Sequence, residues 1–128
     1  MAKAEEIGDA RKKWRERKDA CVNAGAPKNL FGTDDLGPAL DKMQECVTIV
    51  ERGSKVAQDA EGKKALDKAK TDGRAAANRV NTAATRYRER AENALQKATS
   101  PGLKTALRDT VTALTRCQTI ASGVAKML

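Results

Sequence analysis

The chain has 128 residues, a formal charge of +8 and no histidine, which removes the commonest general base and metal ligand at neutral pH. That length suits one domain over 1–128 and is too short for two with good cores. An apolar share carried mainly by Ala, with one Trp, one Tyr, one Phe and three Pro, argues for an all-α protein with a thin core and close helix contacts.

Ala2 to Ala24 reads as the first helix, with Ile7, Ala10, Trp14 and Cys21 on one face. Acids come early in it and bases late, as the helix dipole favours, and Gly25 and Pro27 stop it. The run Arg11 to Lys18 is the densest basic patch in the chain, a collar about Trp14. Two readings fit it: a core-anchoring Trp with snorkelling cations, or a phosphate-binding collar. Asn29 to Gly37 reads as a loop, with Leu30 and Phe31 tucked into the bundle end. Asp34 or Asp35 can cap a second helix that runs from about 35 to 58. Its apolar face is Leu36, Ala39, Leu40, Met43, Cys46, Val47, Val50 and Ala57; Ile49 and Val56 lie off that face.

The third helix, expected over 61–99, carries a seam of small residues spaced by threes and fours. Neighbouring helices must bury a helix so poor in large apolar groups, and within the seam Gly73, Ala76, Val80, Ala83, Tyr87 and Ala91 are also the candidate residues for contact with another chain. At about 57 Å this helix outruns neighbours of about 35–40 Å, which predicts an uncovered Ala-rich end. Thr71-Asp72-Gly73 is also a turn signal, but the seam keeps its phase across Gly73, so a continuous helix is expected. Residues 61–99 hold ten Lys and Arg against five Asp and Glu, whereas residues 26–60 hold four against six. The cations form two rows: Lys68, Arg79, Arg86, Arg90 and Lys97 on one side of the seam, Lys63, Lys70, Arg74 and Arg88 on the other.

Ser100 and Pro101 start a fourth helix, expected over 101–127, with Leu103, Leu107, Leu114, Cys117, Ala121 and Leu128 facing inward. Its opposite face presents Arg108, Thr112, Thr115, Thr119 and Lys126. Thr is a mediocre helix former, so this face reads either as a docking surface or as a tolerated polar face.

The sequence shows no metal-ligand spacing of Cys, no Gly-rich phosphate loop and no thiol with a His partner, so neither enzyme activity nor a cofactor is expected. Cys21, Cys46 and Cys117 are expected as reduced buried thiols, with Cys21, near a helix end, the first to react. Met1 leads directly into charged helix, so no secretory signal or membrane span is read and a cytoplasmic location is expected; signal-independent export or a virion also fits.

Together these features predict an antiparallel four-helix bundle serving as a non-enzymatic assembly or adaptor subunit, with a second copy as partner. The runner-up is non-specific phosphate binding to nucleic acid through Arg11, Lys12, Arg15, Lys18, Arg79, Arg86, Arg90 and Lys97. Few aromatics are present to stack on bases, which disfavours single strands.

Overall fold

The computed structural model describes residues 3–56 and 59–128, with the side chains of 54–56 outside that description. Four helices follow one another: α1 (Lys3–Asn23), α2 (Leu36–Val56), α3 (Ala60–Lys97) and α4 (Pro101–Met127). No strand occurs among the described residues. Ala2, Ala57 and Gln58, expected in or beside helices, lie outside the described residues, as does the side chain of Val56.

The helix ends follow local chemistry. α1 closes with a paired turn in which Ala26 N–H reaches Cys21 O and Gly25 N–H reaches Val22 O. That geometry needs a left-handed residue, and Gly25 supplies it at φ 110°. Asp34 Oδ1 accepts from the N–H groups of Leu36 and Gly37 at 3.1 and 2.9 Å, so this side chain caps α2. Asp59 caps α3 through Gly62 N–H at 2.6 Å. Ser100 caps α4, with Pro101 at its first position.

α2 packs on α1 and α3, and α4 packs on α3 and α1, so α1 and α3 are diagonal across the bundle. Consecutive helices run antiparallel. α3 is unbroken through the Thr71-Asp72-Gly73 turn signal. The glycine there serves close approach instead of a bend: a Cβ at Gly73 would lie 2.5 Å from Leu128 Cδ1 and 3.1 Å from Cys46 Cβ.

One core is shared by all four helices. Ile7, Ala10, Trp14 and Cys21 enter from α1, and the seven described positions of the α2 face, Leu36 to Val50, are all buried. α4 contributes Leu107, Leu114, Cys117 and Ala121, together with Ile120, Val124 and Thr110, which the sequence reading did not place inside. Thr110 is admitted because its hydroxyl donates to Ala106 O at 2.9 Å, and the Cys21 thiol lies 2.9 Å from the Thr110 hydroxyl oxygen.

At the end of the bundle that holds the residue 24–35 loop, the chain's three aromatic rings meet. Trp14 and Tyr87 stack across the diagonal with centroids 5.5 Å apart and planes 8° from parallel. Phe31, from the loop, sets its edge against both, at 5.1 and 5.6 Å. The Tyr87 hydroxyl donates to Thr33 O at 2.7 Å and accepts from Asp35 N–H at 2.8 Å. The Trp14 Nε1–H donates to Asp34 Oδ1 at 3.1 Å, and Lys18 reaches the other oxygen at 3.4 Å. Burial works against the Asp34 charge, but the Gly37 N–H, Trp14 and Lys18 hold its pKa below the usual carboxylate value. Its contribution is therefore present above the unfolded carboxyl pKa and is lost as pH falls through the lowered folded value.

All three thiols are free and buried as expected, but Cys21 differs in its accessibility. Cys21 is fully buried and bonded to Thr110, so its place near a helix end does not expose it. Burial raises all three thiol pKa values above 9.0, and raises Cys117 to about 11. The thiolate is the reactive form, so Cys117 should react about a hundredfold more slowly than a free thiol at the same pH. Cys46, at 2 % exposure, should be labelled first by iodoacetamide at pH 8, ahead of Cys21 and Cys117. Labelling of Cys21 first, or of all three rapidly without denaturant, would contradict this order.

Candidate interaction surface

The small-residue seam of α3 is not a surface. Gly73, Ala76, Val80, Ala83, Tyr87 and Ala91 are all buried inside the chain's own bundle. The expectation that another chain covers them is corrected on that ground: α2 lies along one side of the seam and α4 along the other. The overhang also differs in kind. The first turns of α3 carry Glu61, Lys63, Lys64, Asp67 and Lys68, all exposed or nearly so, with Ala69 the first buried residue. Leu66 packs back toward Gly53 of α2, where an added Cβ would lie 3.0 Å from its Cδ1. Among the described residues, the first turns of α3 thus present a mostly charged surface, with Ala60 and Ala65 exposed between the charges.

The eight candidate phosphate-binding cations do not converge. Arg11, Lys12, Arg15 and Lys18 ride on α1, and Arg79, Arg86, Arg90 and Lys97 ride on α3, diagonally opposite. Several are engaged within the chain. Arg11 pairs with Asp41 at 3.2 Å, Lys18 with Asp34 at 3.4 Å and Arg86 with Asp35 at 2.8 Å. Arg86 and Arg90 also sit over the Tyr87 ring, at 5.3 and 5.9 Å. Trp14 itself is fully buried, so the collar surrounds a core anchor. The surface between α2 and α3 forms an open groove of about 640 Å³ with Pro38, Ala39 and Ala83 on its floor. Lys42, Arg79 and Arg86 stand along it, with Asp35 among them.

The threonine face of α4 is a surface in fact. Arg108, Thr112 and Thr119 are exposed and Thr115 is half-buried. Each threonine hydroxyl is already spent on its own helix: Thr112 donates to Arg108 O at 3.2 Å, Thr115 to Val111 O at 2.9 Å, Thr119 to Thr115 O at 3.1 Å. With the donor satisfied internally, drying this face costs less than drying free hydroxyls would.

The same face continues onto α3. Gln118 donates to Thr85 Oγ1 at 2.7 Å and accepts from Arg88 at 3.2 Å, joining the two helices at the surface. Arg88 is in turn neutralised by Glu92 at 2.7 Å. Beside this junction Asn81 and Thr85 of α3 are exposed, with Ser122 exposed on α4, while the exposed Asn78 and Thr82 border the α2–α3 groove with Arg79 and Arg86. The centre of the α3–α4 face is thus neutral in a chain of charge +8. Sequence reasoning named its α4 half. It missed the α3 half, although Asn81 and Thr85 recur at helical spacing, because attention went to the cations beside them.

Among the described residues no group of three Cys, Asp or Glu could hold a metal ion. Glu92 is tied to Arg88, and the three thiols sit in the core. No helix among the described residues is long and apolar enough to cross a membrane. The chain matches no protein-family model, and no curated protein or solved structure is detectably similar to it.

Proposed function

We propose that this chain is a non-enzymatic helical subunit that associates with a second copy of itself through the outer α3–α4 face. The observation that supports it most is the internal satisfaction of Thr112, Thr115 and Thr119 on a face whose centre carries no net charge. Two molecules of charge +8 repel one another, and the contact that least aggravates this is one whose centre adds no further charge, with Arg108 the exposed cation on its α4 side. Methyl groups and amides of modest size can there come together without stranding a donor.

Salt separates this reading from phosphate binding. Between about 0.05 and about 0.5 M salt the screening length falls from roughly 14 to roughly 4 Å. Self-association of like-charged copies should therefore strengthen severalfold, whereas binding to nucleic acid should weaken steeply as fewer counterions are released. Sedimentation of the purified protein at both salts is the measurement. Thr112→Lys with Thr119→Lys should leave the fold intact, since both sites are exposed and Lys is the better helix former, and should abolish the oligomer. A monomer at every accessible concentration and salt overturns the proposal. Salt-sensitive duplex binding that is lost in Arg79→Gln with Arg90→Gln would put phosphate recognition in its place.

A further inference from the structure

At the loop end of the bundle lies a cleft of about 430 Å³ that the self-association face does not include. Its walls are Leu30 from the loop, Ala94 from α3, and Leu103 and Leu107 from α4. Ala26 and Pro27 close one side. Leu107 and Ala26 are buried, while Leu30, Ala94 and Leu103 are half-buried, so the cleft is an opening into the edge of the core. Its volume falls in the range of about 300–1,000 Å³ typical of small-molecule sites, and its lining is largely apolar, as such sites require.

The polar groups at this cleft are Arg90, Asn93 and Lys97, all exposed and all from α3. With Ala94 they occupy spacings of three, four and seven from Arg90, one face of the helix. No carboxylate lines the cleft, and neither Arg90 nor Lys97 has an acidic partner among the described residues. Arg90 is nonetheless held in place. Its guanidinium lies over the Tyr87 ring at 5.9 Å, and its Nη1 would be 3.5 Å from a Cβ at Gly32. Gly32 takes a positive φ of 65°, so the loop passes Arg90 without a side chain in the way.

We infer that this cleft binds a small amphipathic anion, with its apolar tail against Leu103, Leu107 and Leu30 and its anionic head between Arg90 and Lys97. An apolar pocket whose charged groups are all cations selects that chemistry over a neutral or cationic ligand. The absence of a carboxylate from its lining distinguishes this cleft from the α2–α3 groove, where Asp35 stands among the cations, and Lys12 and Arg15 line neither.

Octanoate and octanol are the probes, titrated calorimetrically into the full chain. Octanoate should bind with one-to-one stoichiometry and octanol about tenfold more weakly, as two partly exposed ion pairs would contribute. Arg90→Gln with Lys97→Gln should reduce octanoate affinity to that of octanol and leave octanol unchanged. Lys12→Gln with Arg15→Gln, which removes the same charge elsewhere, should leave both affinities alone. Ala94→Trp fills the cleft and should abolish both, with circular dichroism verifying that the variant is folded. Failure of octanoate to bind the wild type overturns the inference. So does equal weakening by the Lys12 and Arg15 pair, or unchanged binding in folded Ala94→Trp.

Discussion

Trp14→Ala should remove most of the stability of this protein. Replacing a buried large aromatic by alanine typically costs about 3–5 kcal/mol, through lost burial and the cavity left behind. Here the ring is fully buried, stacks on Tyr87 and meets the edge of Phe31, and each such pair adds about 0.5–1.5 kcal/mol beyond burial. The substitution also takes the Nε1–H donor from Asp34, which caps α2. Against a total of about 5–15 kcal/mol for a domain, the loss is large. Urea unfolding should show the midpoint falling sharply, and the thermal midpoint should drop by roughly 10–20 °C. Trp14→Phe, which keeps a ring, should recover part of the loss. A drop of under about 1 kcal/mol for the alanine variant would show that the aromatic cluster is not the anchor described.

The second large effect concerns the seam. Ala76→Leu with Ala83→Leu would block an assembly if another chain covered these residues. Both are buried within the bundle, at 0 and 3 % exposure, so the expected result is different. Each added side chain must push α2 or α4 outward, at about 1–3 kcal/mol apiece, and sites two turns apart on one helix can share the relaxation. Helix content should survive while side-chain packing loosens. Far-ultraviolet dichroism should be nearly unchanged, near-ultraviolet dichroism should weaken, and the melting transition should broaden and move down. A variant that melts like the wild type yet sediments differently would mean that the seam is open to a partner after all.

How far the sequence could be read depended on the type of signal. Periodicity alone located four helices and the core faces of α1 and α2, because apolar spacing and burial are the same fact seen twice. It also carried α3 through Gly73 against a turn signal. Ser100-Pro101 was legible because a cap needs two adjacent residue types. What failed was the step from small to exposed. Gly73, Ala76 and Ala83 look like an interface in sequence, yet smallness records how near a neighbour lies and says nothing of whose chain it belongs to. Diagonal placement of α1 and α3 was equally hidden, so two basic helices read as one surface. The cleft beside Arg90 depends on where the loop carries Leu30 and Pro27, and no local pattern encodes that.

The contacts of α1 with α4 have a consequence for the order in which the chain assembles. Cys21 meets Ala106 and Thr110, and Asp9 meets Arg116 at 2.6 Å, across 85 to 107 residues of intervening chain. The α2–α3 and α3–α4 hairpins close far shorter loops, so their entropy cost is met sooner. α1 also pairs with α2 through a short loop, so the contact expected to form late is that of α1 with α4, which completes the ring of four helices. The chain's one tryptophan, stacked on Tyr87 across the bundle, should report that closure, with a fluorescence change expected after most of the helix has formed.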